Sequence, residues 1–298
     1  MSNVNVTLAM NGSANDTTKV LSLQINYKPE FVTKMAEEEF NDSPENRRKG
    51  LEQLKELLND HKMTKGIDFE DDFLLAYLLH NKFNADGALA GIRHLFNLRK
   101  NHSYFFRNIP FDFTTIPSGQ FITVLPYRRL DGSVTVLFEY GKVHWNEISI
   151  ETFKQLVFII YQRLLRDPVT QVAGINAIHD FSNTGIRHLR HCTLPNLLLL
   201  YHVAFDCLPA RYLEIHCING NILLSTMLTL FKPFMSEVLR RILYFHSSTE
   251  ELLNYFPPAV IPTKYGGTLS DYYMADWLKK ANEQHEGFTV KGQKNIFL

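Results

Sequence analysis

Cysteine is scarce, neither charge sign is in excess, and no long apolar run interrupts the chain; each shortage removes a class of protein. The 298 residues contain three cysteines, Cys192, Cys207 and Cys217, in no paired metal-type spacing. An odd number without that spacing argues against a disulfide framework and fits a reducing, cytosolic setting. Thirty-one basic residues balance thirty-one acidic ones, so no global field exists to hold a nucleic acid by counterion release. No window reaches the roughly 18 to 20 apolar residues needed to cross a bilayer, because Pro195, Asn196 and His202 interrupt Leu194 to Phe205. The first thirty residues are Asn/Ser/Thr-rich and carry no signal-type apolar core, so secretion is not expected.

The standard catalytic signatures are also missing. No G-x-G-x-x-G follows a strand pattern, no G-x-x-x-x-G-K-[ST] occurs, and no G-x-S-x-G elbow is present. His179-Asp180 at a strand end is half of a catalytic pair with no nucleophile placed by any motif. His188 and His191, flanked by Arg187 and Arg190, lack a carboxylate or thiolate third ligand, so a solvated basic helix start is the stronger assignment. These absences predict a protein that is not an enzyme and needs no metal or cofactor.

What is present is apolar residue: 45% of the chain, enough for one large domain with an annex. Composition suggests a flexible tail over residues 1–26. From 27 to 106 the apolar spacing is helical, with stripes at Leu51, Leu54, Leu57 and Leu58, at Phe73, Leu74, Tyr77 and Leu78, and over 85–101. Asp71 and Asp72 open the second stripe, where carboxylates suit the positive end of a helix dipole. Beyond Pro110 the period shortens. Phe121–Leu125 and Val134–Phe138 flank Asp131-Gly132 and read as a β-hairpin with a longer loop. Helices over 150–165 and around 194–205 then alternate with strands Ile175–Asp180 and Tyr212–Ile218, and Ile242–Phe245 is a candidate last strand. That alternation predicts an α/β fold around a mostly parallel sheet.

Asn221 to Phe234 is apolar nearly all round, with Leu223, Met227, Leu230, Phe231 and Phe234 on one helical face and Ile222, Leu224 and Leu228 on another. Such a helix is either a core helix or the cover of an apolar ligand. Pro233 ends or kinks it, a hinge suited to a lid. Near the end, Pro262-Thr-Lys-Tyr-Gly-Gly267 must form a specifically shaped turn, because its prolines stop helices and its paired glycines open backbone angles closed to other residues.

Taken in order, Gly174-Ile-Asn-Ala-Ile-His-Asp180, Ile215-His-Cys-Ile-Asn219, Phe231-Lys-Pro-Phe234 and Ile261-Pro-Thr-Lys-Tyr-Gly-Gly267 resemble the CRAL-TRIO lipid-binding family, in the branch of the α-tocopherol transfer and cellular retinaldehyde-binding proteins. Asp72-Phe-Leu-Leu75, Leu78 and Asn81-Lys-Phe83 resemble the family's N-terminal helical motif. The resemblance implies a helical N-terminal region over 27–106, a lipid-binding domain over 107–267 and a C-terminal tail over 268–298. It implies a pocket between sheet and helices, closed by a mobile lid helix at Ile222 to Phe231. By similarity the pocket candidates are Val157, Phe158, Tyr161 and Leu165, then Ile175, Ile178 and His179, then Leu200, Val203 and Ile215, with Leu223, Met227 and Phe231 from the lid. Ordinary core packing is the competing assignment for each aliphatic residue. Tyr161 and His179 are the two whose polar atoms would orient a cargo.

The chain departs from the family at positions that matter. Ala76 and Leu79 stand where arginines are common, and Gly220-Asn221 where a proline is common. In the tocopherol-transfer branch a basic cleft binds phosphoinositide headgroups; here Arg211 matches one basic position, while Leu213, Val238 and Ile242 replace others. Lys232, Arg240 and Arg241 are the neighbouring candidates for a shifted phosphate site, with solvated charge as the competing assignment. The expectation is a monomeric cytoplasmic carrier of a tocopherol-, retinoid- or other isoprenoid-like lipid, transiently bound to membranes and released there with phosphoinositide help. A phosphoinositide-binding module in vesicle traffic without net lipid transfer is the alternative. Burial at roughly 0.8 kcal/mol per methylene gives a lipid of about twenty carbons well over ten kcal/mol before binding costs, so such a pocket needs few polar anchors.

Overall fold

Side-chain caps decide where most helices begin. In the computed structural model, which describes residues 20–25, 27–106 and 117–273, Ser43 Oγ accepts from Asn46 N at 3.1 Å and Asn84 Oδ1 from Gly87 N at 2.9 Å. These caps start helices α2 (Pro44–Asp60) and α4 (Ala85–Asn101), which with α1 (Glu30–Phe40) and α3 (Asp71–His80) form the annex. Ser149, Asp167, Thr193, Asn221 and Ser236 cap α5 (Ile150–Leu164), α6 (Pro168–Ala173), α8 (Leu194–His202), α9 (Ile222–Phe231) and α10 (Glu237–Ile242) in the same way. The short α7 (Ile186–Leu189) lacks a side-chain cap.

The fold is α/β. The five-stranded sheet runs in the order β2 (Ile122–Val124), β4 (Val134–Glu139), β5 (Ile175–Asp180), β6 (Tyr212–Ile218), β7 (Leu243–Phe245). The β2–β4 pair is the antiparallel hairpin read from the sequence, with Ile122 opposite Phe138; the other three pairings are parallel. Parallel strands require apolar cover on both faces, and the crossover helix α5 supplies it on one.

Three boundaries differ from the expectation. Leu21–Ser22, within the residues read as a flexible tail, form strand β1, paired antiparallel with β3 (Tyr127–Arg128). The anchor is Arg128, buried, whose guanidinium donates to Leu23 O at 2.9 Å, Gly132 O at 3.0 Å and Asp167 Oδ2 at 2.6 Å. Ile242 ends α10 rather than opening the last strand. Residues 203–207 after α8 form a single π turn instead of continuing the helix. Residues 1–19 and 274–298 of the expected tails, and the expected domain start at 107, lie outside the described residues.

Strand alternation splits the core in two. Val136, Phe138, Ile175 and Ala177 point to the side covered by α5, while Leu137, Ile178 and Ile218 point to the other. The far side is closed by the segment from Leu252 to Leu269, including Phe256, Ile261 and Tyr265. The Pro262–Gly267 turn pins that segment. Tyr265 Oη donates to Asp180 Oδ2 and Lys264 Nζ pairs with Glu139, so two carboxylates that are register partners at adjacent strand ends are held together. Gly267 is obligatory there, since a Cβ would sit 1.9 Å from Ile261 O.

Candidate functional site

On the α5 side of the sheet, the space between the strands, α8 and α9 is not filled. A cavity of about 270 Å³ remains. One face of α5 contributes Ile150, Phe153, Val157 and Tyr161, spaced three to four residues apart. Strands supply Phe138, Ala177 and His179, with Tyr212 and Ile215 from β6. A register shift between Ile175 and Asn176 leaves one extra β6 residue, so Tyr212 lies opposite Ile175 and shares the cavity face with Ile215. Leu200 and Tyr201 of α8 form the side wall.

Helix α9 covers the opening. Asn221 holds its start: Oδ1 accepts from Leu223 N at 2.9 Å, and Nδ2 donates to Phe181 O and Thr184 Oγ1, both at 2.7 Å. Leu223, Met227 and Phe231, at intervals of four, line the cavity. Ile222 stands 58% exposed on the outside. Among the described residues of α9, Leu223 and Leu224 alone are fully buried, so the helix lies on the body rather than inside it.

Eight of the thirteen residues expected at the pocket line it: Val157, Tyr161, His179, Leu200, Ile215, Leu223, Met227 and Phe231. Five do not. Ile178 precedes His179 on the same strand and therefore faces the opposite side, against Leu252 and Phe256. Ile175 shares the cavity face but sits at the other end of β5, closed into the core. Phe158 is turned about 100° from Val157 around α5 and meets Phe105 and Phe106 edge-on. Leu165 lies beyond the last turn of α5, and Val203 packs into the core at the π turn. Unmarked in the sequence, Tyr140, Trp145, Phe153 and Phe205 also line the cavity. So do His188 and His191, which turn inward instead of forming the expected solvated helix start, His188 buried and His191 stacked on Trp145. Strand parity extended from His179 to its register partner Phe138 would have found the aromatic floor.

Polar atoms are few in this lining. No Lys, Arg, Asp or Glu belongs to it. His179 stacks on Phe138 at 4.5 Å and 4°, and its Nδ1 lies 2.7 Å from Tyr140 Oη. Burial, with the nearby His216 adding, pushes the imidazole down to about 4, so it is neutral at ordinary pH. Burial likewise raises the Tyr161 and Tyr140 hydroxyls, which stay protonated.

The His179-Asp180 sequence does not form a dyad. Its carboxylate turns to the far face, where it accepts from Tyr265 and, at 2.8 Å, from Asn219 Nδ2. All three cysteines are free and buried; burial pushes Cys217 up to about 12, the reverse of an activated thiol. Among the described residues no cluster of three or more potential ligands could hold a metal ion, and no helix is long and apolar enough to cross a membrane.

Three of the four basic candidates are engaged by protein acceptors. Arg211 borders a separate groove of about 400 Å³, where Glu39 holds it at 2.7 Å and Val172 O accepts at 2.9 Å. Val238 and Ile242, one helical turn apart, line the groove with it. Arg240 donates to Lys232 O at 3.1 Å, and Arg241 pairs with Glu237 on its own helix. In the annex, Ala76 and Leu79 are buried, which an arginine at either place would resist.

A parallel-sheet domain with a helical annex and an apolar cavity beneath a covering helix is the architecture of a hydrophobic-ligand-binding fold. Residues 119–267 match the CRAL/TRIO domain, and the chain belongs to that family. It is 25% identical over 268 residues to Clavesin-1 of Pongo abelii, covering 89% of this chain and 75% of that one. It is 24% identical over 250 residues to the alpha-tocopherol transfer protein-like protein of Homo sapiens, covering 83% and 73%. Among solved structures, the crystal structure of Sfh5 aligns at a TM-score of 0.44 and 8% identity, over 92% of this chain and 96% of that one.

Proposed function

We propose that this protein binds a hydrophobic small lipid in the cavity under α9 and carries it between membranes, with α9 as the element that opens. The observation that carries the reading is the lining itself, mostly aromatic and aliphatic and without a Lys, Arg, Asp or Glu. Water gains little in such a space, whereas a lipid leaves water at roughly 0.8 kcal/mol per methylene. Family membership and a tocopherol transfer protein-like relative support the same class of ligand. Tyr161 and His179 are the groups that orient the cargo's polar end. Lys232-Pro233-Phe234, a short 3-10 turn after α9, is the hinge. Ile222 and Phe234, both exposed, are the residues that meet the membrane.

The reading assigns no chemistry to the ligand. It leaves out headgroup-assisted release: Arg211 is paired with Glu39, in a groove where Val238 and Ile242 stand beside His80 and Lys82.

Native mass spectrometry of the purified protein after exposure to extracted lipids, paired with transfer of a fluorescent lipid between vesicles, tests the proposal. Bound lipid and accelerated transfer are expected. A protein that binds phosphoinositide vesicles yet neither retains nor moves any lipid would overturn it in favour of a membrane-recognition module.

A further inference from the structure

The proton on His179 is placed by a residue that no sequence motif marked. Tyr140 follows strand β4, lines the cavity and lies nearly parallel to the imidazole, with ring centroids 5.8 Å apart and planes at 23°. Its hydroxyl meets His179 Nδ1 at 2.7 Å, and both groups are neutral.

The bond can be written two ways. With Nδ1–H as donor, the Tyr140 hydroxyl hydrogen needs an acceptor of its own, and no other bond is made by that hydroxyl among the described residues. With the hydroxyl as donor, Nδ1 is the acceptor and only the Nε2–H is left without a partner, whereas the first arrangement leaves both the hydroxyl hydrogen and the Nε2 lone pair unpaired. A buried O–H without an acceptor is costly, so the second arrangement dominates. His179 is then a donor on the one ring nitrogen left for a ligand.

We propose that Tyr140 is a positioning residue that fixes His179 as a hydrogen-bond donor into the cavity and thereby selects a lipid bearing a neutral carbonyl oxygen. The inference rests on the carrier reading above and adds the cargo's polar chemistry. A carboxylate is disfavoured because no Lys or Arg lines the cavity to pair with it. An alcohol accepting at the same point brings an O–H that needs one of the few acceptors in the lining, such as a tyrosine hydroxyl, whereas a carbonyl brings none.

Two measurements test this, one of them independent of any ligand. Side-chain ¹⁵N NMR of the full-length protein should show His179 Nδ1 unprotonated and Nε2 protonated, and Tyr140→Phe should lose that fixed tautomer. Titration with a polyene aldehyde, its matching alcohol and its matching hydrocarbon, followed by quenching of Trp145 in the cavity wall, should show the aldehyde bound about tenfold more tightly than the alcohol, a difference of about 1.4 kcal/mol. In Tyr140→Phe that ratio should fall toward one, through a loss of aldehyde affinity larger than any change in hydrocarbon affinity, and the melting temperature should drop because His179 Nδ1 loses its donor. An Nδ1–H tautomer in the wild type, or an unchanged aldehyde-to-alcohol ratio in the variant, overturns the role of Tyr140. If none of the three lipids binds, the carrier reading falls instead, and the NMR result still decides the tautomer.

Discussion

Tyr265 and Asp180 lie 85 residues apart in sequence and are joined by a hydrogen bond of 2.5 Å from the tyrosine hydroxyl to the carboxylate. The acceptor ends β5, the strand that carries His179 into the cavity, so the closing turn of the domain and the polar end of the site share one strand terminus. Asn219 and Ser182 complete the carboxylate's shell. The segment Lys264-Tyr265 is thereby a clamp on two neighbouring strand ends rather than part of the ligand site.

Removing the clamp's hydroxyl in Tyr265→Phe should destabilise the protein by about 1.5 to 3 kcal/mol, the range for hydrogen bonds to charged groups. Chemical denaturation measures it. Lipid affinity of the folded fraction should hold, because Tyr265 faces away from the cavity.

The two glycines of the turn should respond differently. In Gly267→Ala the new methyl would collide with the Ile261 carbonyl at 1.9 Å, so backbone must move and a loss above about 2 kcal/mol is expected. Gly266→Ala meets nothing closer than 3.5 Å and is penalised only for its φ of +89°, about 1 to 2 kcal/mol. Melting temperatures of the two variants should rank in that order.

Acid should weaken the fold through His179. The unfolded chain takes up a proton near 6.5, the folded protein only near 4, so stability is full above pH 6.5 and declines as pH falls toward 4, by up to about 3 kcal/mol. Denaturant midpoints measured from pH 7 to pH 4 should therefore fall less steeply in His179→Phe than in the wild type. Equal slopes would show that His179 is not the buried neutral group described.

Neighbours on α5 should separate stability from binding. Phe158→Ala removes the ring that meets Phe105 and Phe106 and should cost about 3 to 5 kcal/mol. Val157→Ala should cost far less and change lipid affinity. Leu200→Trp, which adds bulk to the cavity wall, should abolish lipid retention in native mass spectrometry with the melting temperature unchanged.

Element types were legible because periodicity and caps are local. The spacing of Phe73, Leu74, Tyr77 and Leu78 reads as helix whatever surrounds it, and Asp131-Gly132 between two apolar runs reads as a hairpin. The ordered short motifs carried the family. The site was legible only where one period governed it: Leu223, Met227 and Phe231 follow from helical spacing, whereas Ile178 and His179 needed strand parity to be told apart. Leu21–Ser22 gave no strand signal, since their pairing depends on Arg128, more than a hundred residues later.

By itself, then, the sequence determined the α/β class, the helical annex, the lid-like helix and the family, because each rests on residue type at fixed short spacing. Tertiary structure decided the rest. It chose which face of each element borders empty space, turned Asp180 away from His179, gave Arg211 to Glu39 and set Tyr140 against His179 Nδ1. Those outcomes depend on which distant segments meet, and no local pattern encodes the partner.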